Sequence, residues 1–267
     1  MSSSLYSLAA SSARAQTRGE AVTRASREAW PEGSFVHQLP EAERAVLLDA
    51  GTLFRFEDDQ ILLVQGDVGD FLYVLTSGLV KIVVAAVSGA QATLAIRSRG
   101  DLVGEFGLLD SKPRTATASA AGPVTAVKIG AAAFQSLTAR SPAIQAAVIA
   151  YLLAKMRTST EQRAAERVWD ARERIAQVLF DLGGKHARPD SDGLIRIPIT
   201  QSELGSLAGV AVSTAERVLK DLRGLGAIST RYREITIRNL SYLDGIRFPA
   251  ENPANPLPAG ICGPLIR

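Results

Sequence analysis

The 267-residue chain is poor in the residues that cross-link folds and bind soft metals, with one cysteine (Cys262), two histidines (His37 and His186) and two methionines. A lone cysteine excludes an internal disulfide framework and cannot furnish the ligands of a structural zinc site or an iron-sulfur cluster. Two histidines far apart in sequence, without a third, make no recognisable metal or haem set. Both are read as surface residues, Trp30 and Trp169 as packing or interface residues, and no metal is expected. Long hydrophobic runs are missing too: the longest, Ala146 to Ala154, is stopped by Lys155 and falls well short of the roughly 20 residues a membrane helix needs. The first thirty residues are rich in Ser, Ala and Arg and lack the apolar stretch of a secretory signal. No Ser/His/Asp arrangement, paired catalytic carboxylates or phosphate-binding nucleotide loop is present. The expectation is a cytoplasmic protein without a membrane partner, without catalytic residues and without enzymatic activity.

What is present is an ordinary globular balance, 46% hydrophobic and 21% charged, with a formal net charge of +3. That charge alone carries little, but its distribution says more. Residues 41 to 110 hold eleven Asp/Glu against five Lys/Arg, whereas 196 to 238 hold seven Lys/Arg against four Asp/Glu. The basic end is where a phosphate backbone would be welcome.

Residues 1–34 lack a sustained apolar face and read as a mobile arm. A short helix is expected from Leu39 to Leu48, with Pro40 at its start and Glu41 and Glu43 where the helix dipole favours negative charge. Between Leu53 and Ile129, short runs of Val, Ile, Leu, Phe and Tyr are punctuated by glycines such as Gly66, Gly78, Gly100 and Gly104, the texture of an antiparallel barrel or roll over 35–141. The period then becomes helical. Ala143 to Ala154 is apolar nearly all round, so a helix from about Pro142 to Trp169 is expected to lie on the roll with one face and on a second copy of itself with another, and an apolar stripe continues through Ala164, Val168, Ala171, Ile175 and Leu179. Gly183 and Gly184 close a further helix, and a small domain spans 170–248. Residues 249–267, with prolines at 249, 253, 256, 258 and 264, read as an extended tail. The fold class is α+β: an N-terminal antiparallel β-roll, a long dimerisation helix and a C-terminal winged helix-turn-helix.

In that last domain Thr200-Gln-Ser-Glu203 and Ser213-Thr-Ala-Glu216 each match a capping box, in which the hydroxyl accepts from the third helical amide and the glutamate reaches back to the cap. Two helix starts thirteen residues apart with Gly209 between them suit a helix-turn-helix, and the alternating Ala227 to Arg238 suits a wing, with Arg231, Arg233 and Arg238 available to phosphates. This region resembles the helix-turn-helix of the cyclic AMP receptor protein / fumarate-nitrate regulator family, and Arg174-Ile-Ala-Gln177 looks like that family's entry into its DNA-binding domain. The resemblance implies that Gln201 and Ser202 touch phosphate and that Ser213, Thr214, Glu216, Arg217 and Lys220 lie along the recognition helix. Arg217 is the candidate reader of a guanine edge. The family's common Ser-Arg-Glu-Thr opening is here Ala211-Val-Ser-Thr214, so its usual Arg and Glu readers are absent and its operator cannot be carried over.

A cyclic nucleotide presents one phosphodiester anion and one free ribose 2′-hydroxyl, so its pocket needs a cation, donors and an acceptor. Gly104-Glu-Phe106-Gly-Leu-Leu-Asp-Ser-Lys-Pro-Arg114-Thr115-Ala116 offers all three. It resembles the phosphate-binding cassette of cyclic-nucleotide-binding domains, which implies Glu105 accepting from the ribose hydroxyl, Arg114 pairing with the phosphate, and Thr115 with the backbone around Gly104 and Ala116 completing the cradle. Alignment on Arg174-Ile-Ala-Gln177 places Ser159 and Thr160 where the cyclic AMP receptor carries hydroxyls that contact the purine from both subunits, with Lys155 near the same pocket. Thr115 and Thr160 suit either adenine or guanine.

The expectation is therefore a homodimer on double-stranded DNA with a pseudo-palindromic operator, controlled by cyclic AMP or cyclic GMP, with RNA polymerase a further candidate partner. Alternatives of other kinds are a regulator of the same fold that binds no cyclic nucleotide, a nucleotide-binding interaction module without DNA activity, and a redox or gas sensor. The last is disfavoured by the shortage of cysteine and of haem ligands.

Overall fold

The structure, a computed structural model, describes residues 29–86, 88–186 and 190–247. The arm read at 1–34 lies outside these except for its last six residues, of which Trp30 and Ser34 are buried; the tail read at 249–267 lies wholly outside. Pro40 opens helix α1 (Glu41–Asp49), with Glu41 and Glu43 in its first turn. Six antiparallel strands follow: β1 (Thr52–Phe56), β2 (Ile61–Leu63), β3 (Phe71–Ala85), β4 (Gln91–Arg97), β5 (Leu102–Val103) and β6 (Thr117–Gly130), in the order β1-β6-β3-β4 with β2 on β6 and β5 on β3. Strands β3 and β6 run together from Phe71 opposite Gly130 to Val83 opposite Thr117, and register shifts near Ser77 bend the pair into a roll. A short helix α2 (Glu105–Leu109) sits between β5 and β6.

Helix α3 (Ala131–Arg140) then gives way to the long α4 (Pro142–Val168), whose cap Ser141 accepts from the amide of Ile144. One face of α4 buries Ile144, Ala147, Val148 and Tyr151 against Leu72, Val127 and Ile129 of the roll and Phe134 and Leu137 of α3. Burial of each large apolar side chain contributes about 1.5–3 kcal/mol. The opposite face leaves Ile149, Leu153 and Met156 exposed, spaced as one helical stripe. No single helix among the described residues is long and apolar enough to cross a membrane.

The apolar stripe read through Ala164 to Leu179 is not one continuous surface. Helix α4 stops at Trp169, and Asp170 accepts from the amides of Arg172 and Glu173 to start α5 (Ala171–Asp181) with a full capping box. Val168 is thereby left exposed while Ile175 and Leu179 enter a different core. That core belongs to β7 (Ile195–Ile197), α6 (Gln201–Leu207), α7 (Val212–Gly224), β8 (Ile228–Arg231), β9 (Glu234–Ile237) and α8 (Leu240–Arg247), with a sheet in the order β7-β9-β8. Thr200 and Glu203 form the expected capping box. The second expected box does not form: Ala211, extended at ψ 147, is the cap of α7, so Ser213 already lies in the first turn and cannot cap. The tight turn at Gly209, in the left-handed region at φ 61, brings the second helix in early.

The core of the small domain continues onto the roll, taking in Leu79, Ile96 and Ala121. Beside this apolar contact, Lys81 of β3 places its buried ammonium 3.0 Å from Glu203 and 3.4 Å from Asp59. Asp59 in turn accepts from Arg233 at the tip of the β8–β9 hairpin, at 2.6 and 2.5 Å. The Arg233 hydrogen bonds hold the Asp59 carboxyl below its usual pKa. Lys81→Met removes the cation that both carboxylates share. Because Asp59 and Glu203 keep some solvent contact, the loss is expected at about 1–2 kcal/mol, between surface and fully buried pairs. It should appear as reduced hydrogen-exchange protection in α6 with the roll unchanged; unaltered protection in α6 would show that the ion cluster does not hold the domain down.

Candidate functional site

Between β4, the β5–β6 connection and α4 lies a cavity of about 530 Å³, within the roughly 300–1,000 Å³ typical of small-ligand sites. Gly104, Glu105, Phe106, Arg114, Thr115, Ala116, Lys155 and Ser159 all line it. Thr160 does not: its hydroxyl donates to the Met156 carbonyl and its side chain lies beside Leu153 and Met156 on the exposed side of α4.

Arg114 is 4% exposed. It donates to the carbonyl of Gly104 at 2.5 Å and to that of Phe71, and its guanidinium lies over the Phe71 ring. Gly104 makes this possible, because its φ of 88 is left-handed and a Cβ there would stand 2.8 Å from Arg114 Nη1 and 2.7 Å from Leu63 Cδ1. Among the described residues no carboxylate forms an ion pair with Arg114. Burial draws its pKa below the usual value, with Asp70 and Glu105 opposing from a distance. The carbonyls use part of a guanidinium's five donors, so the arrangement is a buried cation, fixed in place and short of an anion.

Glu105, also buried, takes an ion pair from Lys155 of α4. Burial first, then repulsion from Arg97, pull the Lys155 pKa from 10.5 to about 8, although Glu105 works the other way. The Lys155 ammonium also lies 4.4 Å from the centre of the Tyr151 ring. Tyr151 ties the same helix to the strand that leads into the cassette: its hydroxyl accepts from Leu102 N at 3.1 Å and donates to Asp101 at 3.2 Å. Sequence reading missed Arg97, Asp101 and Tyr151, since each looks like an ordinary strand, turn or core residue until α4 is laid across the roll.

On the small domain, Ser202, Ser213, Glu216, Arg217 and Lys220 are exposed, and Gln201 and Thr214 are half-buried. The outer face of α7 is thus open, while Ala215, Val218, Leu219 and Leu222 hold its inner face in the core. The wing arginines divide: Arg231 and Arg238 are exposed, but Arg233 is committed to Asp59 of the roll. Lys81 and Asp59, which set that commitment, carried no signal in the sequence. Among the described residues no cluster of His, Cys, Asp and Glu could hold a metal ion.

The cyclic nucleotide-binding domain family matches residues 53–141, and the Crp-like helix-turn-helix domain family matches residues 173–246. The CRP-like cAMP-activated global transcriptional regulator of Mycobacterium tuberculosis is 28% identical over 184 residues, covering 68% of this chain and 82% of that protein. The cyclic AMP receptor protein of Thermus thermophilus is 29% identical over 184 residues, covering 69% and 82%. A solved transcriptional regulator of the CRP family from Thermus thermophilus is similar with a TM-score of 0.60 at 26% identity, over 72% of this chain and 95% of that one.

The Lys155 environment sets a pH dependence. Between about 8 and 10.5 the folded chain holds fewer protons at this lysine than the unfolded chain does, so stability rises with pH across that window, by up to about 3 kcal/mol at 1.36 kcal/mol per unit. Urea midpoints at pH 7.5 and pH 10 should show this rise in the parent and lose it in Lys155→Met; equal pH dependence in the two proteins would contradict the assignment.

Proposed function

The chain belongs to the cyclic AMP receptor protein / fumarate-nitrate regulator family of transcription regulators, with a cyclic-nucleotide-binding domain and a helix-turn-helix DNA-binding domain, and from that premise we propose that a cyclic nucleotide seated against Arg114 controls how a homodimer of this chain engages DNA. The observation that carries the proposal is the buried guanidinium of Arg114, held by two carbonyls on a cavity wall and unpaired with any carboxylate among the described residues. A buried charge is costly unless paired, and a phosphodiester supplies the missing anion in bidentate geometry.

In this reading residues 35–141 are the sensor, 142–169 the dimer helix and 170–248 the DNA-binding domain. The ribose 2′-hydroxyl donates to Glu105, competing with Lys155 for the same carboxylate. Thr115 and the backbone near Ala116 complete the phosphate cradle, Phe106 covers the sugar, and Ser159 meets the base. The stripe of Ile149, Leu153 and Met156 packs on its counterpart in a second copy, and Thr160 reaches the base from that copy. Both of the effector's candidate identities, cyclic AMP and cyclic GMP, satisfy the phosphate and ribose contacts.

Gln201 and Ser202 approach phosphate at the start of α6, and α7 lies in the major groove with Ser213, Thr214, Glu216, Arg217 and Lys220 toward DNA. Two copies then read pseudo-palindromic half-sites about 34 Å apart. The wing cannot give Arg233 to a phosphate while Asp59 holds it. Effector binding therefore acts by shifting the balance between docked and released arrangements, to the extent that it binds them unequally.

Arg114→Leu should weaken cyclic nucleotide binding about 100-fold or more, by analogy with the roughly 3–5 kcal/mol lost when one member of a buried pair is removed. Isothermal titration with cyclic AMP and cyclic GMP measures this, and unchanged affinity would remove the phosphate role. On the DNA side, Arg217→Ala is expected to cost about 1–3 kcal/mol and to relax preference at one base pair of each half-site, if it reads guanine. Selection of bound sequences from a random pool tests it; an unaltered consensus would exclude Arg217 as a reader.

A further inference from the structure

Strand β4 has two faces with different duties. Its pairing with β3 sets Lys81 opposite Ile96, and Val80 and Ile82 opposite Arg97 and Ala95. Ile96 and Lys81 face the DNA-binding domain, whereas Val80 and Ile82 face the interior of the roll. Directly paired residues of an antiparallel ladder share a face, so Arg97 points inward, and it lines the cavity with Ile82 and Ala95. An arginine on an inner strand face is unusual, since the alternation of a roll places apolar side chains there.

The Arg97 guanidinium donates to the carbonyl of its own neighbour Ile96 at 3.3 Å and forms no ion pair among the described residues. It lines the cavity together with Tyr151, Lys155 and Ser159 of α4. Arg97 repels the Lys155 ammonium, and its charge acts on Tyr151 too, both residues of α4, whereas the charges acting on Arg114 are those of Asp70, Glu105, Tyr73 and Asp67. Arg97 therefore belongs to the part of the cavity wall that faces α4. A cyclic nucleotide anchored by phosphate at Arg114 and ribose at Glu105 carries its base toward that part of the wall.

There the wall presents donors: the Arg97 guanidinium and the Lys155 ammonium, beside Ser159 and Gln162. Guanine offers two acceptors on one edge, N7 and O6, which a guanidinium can bridge; adenine replaces O6 with an amino group that would face the guanidinium donor to donor. Resting on the effector reading above, we infer that Arg97 is a specificity-determining residue that reads the N7/O6 edge of a guanine base, so that the effector is a guanine cyclic nucleotide rather than its adenine counterpart.

The test is equilibrium titration of the full chain with cyclic AMP, cyclic GMP and cyclic inosine monophosphate, on the parent and on Arg97→Leu, with thermal melting to establish that the variant is folded and Arg97→Lys as a second variant if it is not. The parent is expected to bind cyclic GMP about ten- to hundred-fold more tightly than cyclic AMP, with the inosine analogue, which keeps O6 and N7, close to cyclic GMP. Arg97→Leu should lose that preference while its affinity for cyclic AMP stays within about threefold. Arg97→Lys, which cannot bridge two acceptors, should lose most of it. Equal binding of the three nucleotides by the parent, tighter binding of cyclic AMP, or an equal loss for all of them in Arg97→Leu would overturn the role of Arg97 and leave the effector proposal standing. Failure of the parent to bind any of them would instead overturn the effector proposal, and this inference with it.

Discussion

The structure turns on a guanidinium kept out of water. Arg114 is almost fully buried, and its position depends on the absence of a side chain at Gly104, on the carbonyls of Gly104 and Phe71, and on the Phe71 ring beneath it. A cation in that setting costs free energy unless an anion answers it, and the chain supplies carboxylates only at a distance. Local packing is thus arranged around a charge that the protein leaves incompletely balanced, which is a property of ligand sites more than of folds.

The cavity is coupled to the rest of the molecule by thin walls. Tyr151 pins α4 to the backbone of Leu102 and to Asp101, two and three residues from the cassette glycine. Lys155, one helical turn further, holds Glu105. On the other side a single strand separates the cavity from the DNA-binding domain: Ala95 and Arg97 look inward while Ile96 packs outward. A ligand that displaces Lys155 or shifts β4 therefore acts on elements that also carry the long helix α4 and the docked domain, because packed interiors move as bodies instead of yielding at one atom.

The docked domain explains why exposed arginines are a poor guide to DNA contact. Arg231, Arg233 and Arg238 look equivalent along the hairpin, yet Arg233 is drawn to Asp59, in a different part of the chain. Its left-handed φ of 54 puts it at the turn, where it meets Asp59 of the roll. Among the described residues the outer face of α7 carries no such restraint, so that face and the hairpin tip are held by different contacts.

The order of elements, the two domain types and the cassette side of the cavity were legible in the amino-acid sequence, because glycine spacing, the Thr200–Glu203 cap and the Glu105 to Ala116 string are local devices whose geometry follows from the residues themselves. Ser213 misled for the same local reason: its hydroxyl and Glu216 fit a capping box, but the turn at Gly209 had already started the helix at Ala211. Residues whose meaning lies in a distant partner could not be read. Lys81, Asp59, Arg97 and Tyr151 are unremarkable in their own segments, and the face each presents is decided by strand register and by where α4 and the small domain come to rest. Local hydrogen bonding and backbone freedom are written in short stretches of chain, whereas burial, charge pairing and the shape of a cavity arise only when segments far apart in sequence exclude water together.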